Sequence, residues 1–376
     1  MKWHLKHKKH GNKPRDVQVE AMKRSKGRAR YGYFLEQRLG KTPLTLNDFM
    51  SSDCDGLITV APNSFKLDWA LAPAEWGVPE VKTGVWPRNG VSNAEKFLYS
   101  INYEATRGEG GRYSTEILKQ RRCMLVFDES TWIKNPSSDV AKAAIELSKD
   151  AHMVRELNGT PLTQSVMDYY PQLRVLGELN GVNPYAFRNT YAQLGGYMGK
   201  KVIGMQNEQR LYKLLDRCSF RALRKDWLPG HRDMTQIDVN LEMTKKQAAH
   251  YKEMMEDFYT VVDGLHVSAE LVLTQMDKLR QISSCIIMDH GAHRWLEEPK
   301  NNPKVKAVAD LHDSGPGKTI VVHFYKPSGI TLLEAFKKLK PAQLRGGMTP
   351  EQMVAEKRRF NEDPDCRMLI GQITTS

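Results

Sequence analysis

The tripeptide Gly40-Lys41-Thr42 constrains this chain more than any other short stretch, because it follows an apolar run at 31–35 and opens a helical pattern at 42–50. A phosphate-binding loop requires that order. Glycine lets the backbone approach the phosphates, and the helix N-terminus turns free N–H groups and the positive end of its dipole toward them. In such a loop Lys41 contacts the β- and γ-phosphates of a nucleotide, and the Thr42 hydroxyl ligates Mg²⁺. The full pattern GxxxxGK[ST] places glycine at 35, where this chain has Leu35.

A strand feeding a loop and then a helix needs a parallel sheet around it, and the neighbouring sequence provides one. Short, mostly uninterrupted apolar runs recur at 57–61, 97–101, 124–127 and 152–157, with helical patterns at 138–148 and 166–176. Runs of that kind suit parallel strands covered on both faces. From about 180 to 300 the chain reads as mainly helical, with long amphipathic segments at 245–262 and 267–286. After Asn301-Asn302-Pro303 a second alternation begins, with strands at 319–324, 342–344 and 368–370 and helices at 329–339 and 350–360. The expected fold class is α/β: a P-loop NTPase fold with two doubly wound parallel-sheet lobes, the second incomplete, separated by a mainly helical segment. The expected division is a basic segment at 1–30, a first lobe at 31–180, a helical insertion or linker at 181–300, and a partial second lobe at 301–376.

Composition narrows the partner and the compartment. The 376 residues carry a formal charge of +12, which points to a polyanion; nucleic acid fits, since Lys and Arg gain free energy by releasing counterions from phosphates. No apolar run approaches the roughly 20 residues of a membrane-spanning helix, and no apolar segment follows the basic start. A cytoplasmic or nucleoid location without membrane contact is expected. Five scattered cysteines with no CxxC pair read as free thiols, not as a disulfide framework or a zinc site. His4, His7 and His10 read as part of a disordered, phosphate-attracting arm.

Two further segments carry chemistry. The apolar run at 124–127 ends in Asp128-Glu129. Paired carboxylates at the C-terminal end of a parallel strand suit a metal ligand, Asp128, beside a group that polarises the attacking water, Glu129. The run at 152–157 ends in Asn158-Gly159-Thr160-Pro161, a tight turn that can bring the Thr160 hydroxyl beside a γ-phosphate.

In order, these segments resemble motifs I, II and III of the superfamily II helicases and translocases. Motif I there reads AxxGxGKT; this chain has Leu35-Glu36-Gln37-Arg38-Leu39-Gly40-Lys41-Thr42, without the first Ala and the first Gly. Within the superfamily the likeness is to the Swi/Snf-type DNA translocases. Asp128-Glu129-Ser130-Thr131-Trp132-Ile133-Lys134-Asn135-Pro136 is similar to their DEAH-x-IKNP run, with Thr131 in place of His. Gln18 resembles the glutamine that contacts adenine; Val60-Ala61-Pro62-Asn63-Ser64 with Trp69 resembles motif Ia and its downstream tryptophan. Asn102-Tyr103-Glu104 resembles the segment before motif II. Phe220-Arg221-Ala222-Leu223-Arg224-Lys225 is similar to the basic segment before the second lobe, and Gly346-Gly347-Met348-Thr349 to a segment within it.

The resemblance implies two RecA-like lobes that use ATP and Mg²⁺ to move along double-stranded DNA. Gln18, Gly40, Lys41, Thr42 and Thr160 would hold the nucleotide, Thr42 and Asp128 the metal, and Lys41, Asp128 and Glu129 would carry the hydrolysis. Motif VI, QxxxRxxRxGQ, which supplies arginine fingers, is not found before Ser376, so the second lobe is expected to be incomplete. Two alternatives stand beside the translocase: a strand-separating or branch-remodelling helicase working with replication or recombination proteins, and a hydrolysis-deficient protein that binds DNA and ATP.

Overall fold

Strands form where the apolar runs lie. The computed structural model places β1 at Arg30–Leu35, β2 at Gly56–Ala61, β3 at Lys82–Val85, β4 at Phe97–Asn102, β5 at Cys123–Asp128 and β6 at Met153–Leu157. A short antiparallel hairpin, β7 (Ala192–Gly195) with β8 (Lys201–Met205), precedes β9 (Ser219–Ala222). Seven strands form one sheet in the order β3-β4-β2-β5-β6-β1-β9, with every pairing parallel. The structure describes residues 2–6, 13–87, 91, 93–159, 165–196, 201–228, 230, 235–269, 271–289 and 292–373. Its contacts divide into two compact units, Met1–Asp233 and Met234–Ser376.

The helices of the first unit are α1 (Asp16–Ser25), α2 (Lys41–Ser51), α3 (Lys66–Glu75), α4 (Glu109–Gln120), α5 (Asp139–Asp150), α6 (Tyr169–Val175), α7 (Pro184–Tyr191), α8 (Glu208–Cys218) and the single turn α9 (Arg224–Trp227). Successive strand residues serve opposite faces. On β2, Leu57 and Ala61 join a cluster with Tyr33, Leu44 and Val126, while Ile58 and Val60 join another with Leu125, Phe127 and Val154. Both faces are therefore covered, which is the doubly wound, RecA-like arrangement. Each fully buried Leu, Val or Phe contributes roughly 1.5–3 kcal/mol.

Two features differ from the sequence reading in this unit. Residues 2–6, expected in a disordered arm, pack onto the core: Leu5 is buried, His4 N–H donates to Asn47 Oδ1 (2.7 Å), and Lys6 N–H to the Trp76 carbonyl (2.9 Å). Trp3 and Leu5 alternate with polar residues, and that two-residue period pins an extended strap against the core. The stretch from 181 to 300 was expected to be mainly helical, yet it donates β9 to the sheet edge beside β1, with Tyr33 opposite Phe220.

The core of this unit also encloses charge. Arg155 on β6 is 1% exposed; its Nε lies 2.6 Å from Asp48 Oδ2 on α2, and Tyr33 OH donates to the same oxygen (2.8 Å). One guanidinium nitrogen also donates to the Ala29 and Val154 carbonyls. The next residue, Glu156, is fully buried with no hydrogen-bond partner for either carboxylate oxygen among the described residues. Burial raises its proton affinity well above the ordinary glutamate value. A carboxyl whose pKa is raised by folding binds protons more tightly in the native state, so its penalty is absent at low pH and grows as pH rises from about 4.5. Glu156→Gln should therefore raise the melting temperature more at pH 8 than at pH 5. The gap should grow by up to roughly 1 kcal/mol per pH unit; equal gains at both pH values would contradict a buried, unpaired acid.

In the second unit the two long helical patterns are shorter than their periodicity suggests. Helix α10 (Lys245–Glu256) stops before a hairpin, β10 (Tyr259–Val262) with β11 (Leu265–Ser268), and α11 (Val272–Ile282) stops before another, β12 (Ile286–Asp289) with β13 (Ala292–Trp295). The first hairpin turns on Asp263-Gly264, both at positive φ (46° and 78°). That dipeptide between β-branched runs is a strong hairpin signal, and here it overrides the helical spacing. Beyond α12 (Pro303–Asp313) come β14 (Thr319–His323), α13 (Lys326–Ala335), β15 (Ala342–Leu344), α14 (Pro350–Glu362) and β16 (Met368–Gln372). Their strands pair in parallel in the order β14-β16-β15. Among the described residues no helix is long and apolar enough to cross a membrane.

Candidate nucleotide-binding site

The C-terminal ends of β1, β5 and β6 lie side by side, because β6 pairs with both of the others and sets Leu157 opposite Tyr33 and Asp128. The chain leaving these three strands carries the residues that sequence motifs single out. After β1 the loop turns through two left-handed residues, Arg38 (φ 69°) and Gly40 (φ 83°, ψ 47°), and enters α2 at Lys41. Glycine suits position 40: the backbone is left-handed, and a Cβ there would sit 2.5 Å from Gln18 Nε2 and push that side chain aside. At 38, where motif I has glycine, arginine holds the same geometry at a cost of about 1–2 kcal/mol. Lys41 Nζ donates to the Leu35 carbonyl (3.0 Å), so its ammonium folds back over the loop. Thr42 follows at the helix start, half-buried.

Asp128 closes β5. Its Oδ2 accepts from the Trp69 indole N–H (2.8 Å) and its Oδ1 from the Glu129 backbone N–H (3.0 Å). Burial pushes the Asp128 carboxyl up, and the Trp69 hydrogen bond and the Lys41 charge oppose that rise. Glu129 is also raised by burial, with Lys41 opposing and Asp128 reinforcing the shift. The lysine thus acts electrostatically on both carboxylates. Glu129 itself is left-handed (φ 50°, ψ 56°), an uncommon state for a residue with a side chain and one that concentrates at functional sites. Tyr103 braces the turn, donating to the Asp128 carbonyl (2.7 Å) and stacking on Trp132 with ring centroids 5.8 Å apart.

The turn after β6 rests against the phosphate loop: a Cβ on Gly159 would lie 3.7 Å from the Leu35 carbonyl oxygen and 3.8 Å from Gln37 N. Thr160, with Pro161 and Leu162, lies outside the described residues. Gln18 is buried against the loop, its Oε1 accepting from Arg15 N–H (2.8 Å) and its Nε2 donating to the Gly40 carbonyl (3.0 Å). Its amide ties α1 to the loop and keeps one N–H and one oxygen lone pair beyond these two bonds. Glu36, at the loop's start, lies 3.6 Å from the Arg224 guanidinium, which brings the basic segment at 220–225 to the same edge.

One connection has no sequence motif. Ser130 Oγ donates to Gln172 Oε1 (3.0 Å) and accepts from Asn158 Nδ2 (3.2 Å), all three side chains being buried. It links the turn after Asp128-Glu129 to the turn after β6 and to α6. A polar residue inside the apolar run of α6 was the available signal for Gln172. At the opposite, N-terminal ends of the central strands, before β2 and β6, Asp53, Cys54 and His152 converge closely enough to share a metal ion, but the Arg122 guanidinium bonds both Asp53 and His152. The five cysteines are free and buried.

A sequence profile of the SNF2-related domain matches residues 36–286. Among solved structures, the Sulfolobus solfataricus SWI2/SNF2 ATPase core in complex with double-stranded DNA is similar at 17% identity, covering 96% of this chain and 78% of that chain with a TM-score of 0.49. The same organism's SWI2/SNF2 ATPase core domain is similar at 18% identity, covering 96% of this chain and 76% of that chain with a TM-score of 0.48. No curated protein sequence matches.

Proposed function

Because the chain belongs to the SNF2-related family, whose members are ATP-hydrolysing enzymes acting on DNA, we propose that it is a DNA-stimulated ATPase that tracks along double-stranded DNA without separating the strands. The observation that carries this reading is the meeting of Lys41, Asp128 and Glu129 at the C-terminal ends of the strands, with the lysine charge felt by both carboxylates. Lys41 binds the β- and γ-phosphates, and the left-handed Gly40 lets the loop backbone close around them. Glu129 polarises the attacking water. Gln18 is the adenine contact and Thr160 the hydroxyl beside the γ-phosphate.

Mg²⁺ fits the donor set: a half-buried carboxylate with lone pairs to spare, at Asp128, and a hydroxyl at the first turn of α2, at Thr42. Held there by Asp128 and Thr42, the ion would supply positive charge that offsets the charge of the phosphates. Asp128 orients it, and Lys41 adds a second positive charge. The net charge of +12 supports a duplex partner held through its phosphates, and such contacts carry little base information. A cytoplasmic setting beside replication or recombination proteins fits this chemistry.

The test is ATP turnover with and without duplex DNA, for the native chain and for Lys41→Ala. Duplex should stimulate the native chain, and Lys41→Ala should lower turnover by ~10²–10³-fold, the scale for losing one positioned charge donor. A Lys41→Ala variant as active as the native chain would remove the basis for this reading. Displacement of a third strand from a triplex, without unwinding of a duplex, separates tracking from strand separation.

A further inference from the structure

We propose that Trp69 is a positioning residue for Asp128: its indole N–H fixes the rotation of the carboxylate and thereby which lone pairs face the metal. This rests on the nucleotide site proposed above. Trp69 sits on α3 at 2% exposure, within the cluster that includes Leu57, Ala61 and Met124. Its ring is held by packing on a different element from Asp128, which ends β5. The Nε1–Oδ2 distance is 2.8 Å, and the other oxygen takes the Glu129 N–H at 3.0 Å.

A carboxylate offers about four lone-pair sites, two on each oxygen. One on each is used here, so one on each is left, and both remaining sites have fixed directions. The torsion that turns an aspartate carboxyl is broad and soft. The backbone N–H of the adjacent residue restrains it from one side only. The indole supplies the second restraint, and two fixed donors leave a single orientation. A buried indole N–H needs an acceptor in any case, so a purely structural role is the competing account, and the experiment must move something that packing alone would not.

Mn²⁺ binding in the presence of a non-hydrolysable ATP analogue, read by electron paramagnetic resonance, provides that readout. Trp69→Phe, which keeps a ring and removes the donor, should weaken Mn²⁺ by ~10–100-fold, the usual scale for losing an outer-shell partner. Affinity for the analogue without metal should stay within about threefold, because the phosphate loop is untouched. In an Asp128→Asn background the same Trp69 change should add less than about twofold, since the group it acts through is gone. If Trp69→Phe does not fold, 3-benzothienylalanine placed at 69 exchanges the N–H for sulfur within the same ring outline and should reproduce the loss at an unchanged melting temperature.

Mn²⁺ affinity within about threefold of the native chain for the isosteric replacement overturns the proposal, as does a loss that is fully additive with Asp128→Asn. If the native chain takes up no Mn²⁺ with the analogue, or Asp128→Asn takes it up equally well, the nucleotide-site reading fails and the proposal with it. If the native chain binds Mn²⁺ through Asp128 and only the Trp69 effect is missing, the proposal fails alone.

Discussion

Glu129→Gln should lower DNA-stimulated ATP turnover by ~10²–10⁴-fold, the range for removing a positioned general base, while leaving ATP binding within a few-fold of the native value. Glutamine keeps the length and a hydrogen-bonding oxygen but cannot take a proton. The separation of binding from turnover follows from position. Lys41 and the start of α2 lie on the β1 side, where the proposed site would receive the phosphates, whereas Glu129 stands on the turn after β5. Its left-handed backbone (φ 50°) directs the side chain differently from Asp128, although the two are neighbours in sequence. Burial together with the Asp128 charge raises its basicity, which suits a group that draws a proton from water. Phosphate release measured at saturating ATP and duplex, alongside equilibrium nucleotide binding, checks the expectation. Turnover within about fivefold of the native chain would show that water is activated by another group.

Arg155→Ala should cost about 3–5 kcal/mol of stability, the scale for breaking a buried ion pair and leaving one charge behind. Among the described residues Asp48 would keep only the Tyr33 hydroxyl as donor while staying largely enclosed, and the Ala29 carbonyl would lose its partner in Arg155. Thermal unfolding should show the first unit melting roughly 10 °C lower. The loss also has a functional side, because Asp48 lies on α2, the helix that begins at Lys41. Nucleotide affinity should therefore fall even below the new melting point. Replacing both partners, Arg155→Met with Asp48→Leu, should be much milder than Arg155→Ala, since it strands no charge. If the single and double variants melt together, the pair does not stabilise the fold as its geometry indicates.

Much of the geometry of the candidate site was legible because its signals are local. Gly40-Lys41-Thr42 and Asp128-Glu129 each combine an apolar run with a short polar ending, and β1 and β5 end where those patterns place them, at Leu35 and Asp128. Parallel pairing then brings strand ends together with little freedom. The hairpin at 259–268 was read as helical, because helical spacing in the same residues masked the turn signal of Asp263-Gly264. Strand β9 was harder: Ser219–Ala222 is four residues long and carries an exposed arginine. It becomes a strand by adding to the free edge of β1, a preference that its own composition hardly encodes.

The sequence by itself determined the class of sheet, the phosphate loop and the carboxylate pair, because backbone geometry and strand burial leave a periodic trace in neighbouring residues. The tertiary structure decided which distant side chains complete them. Trp69 lies 59 residues from Asp128, Arg155 is 107 from Asp48, and Gln172 is 42 from Ser130. Each of these bonds is worth having only where burial removes competing water and packing holds both partners still. No local pattern records that condition, since it exists only after the sheet has brought the strands together.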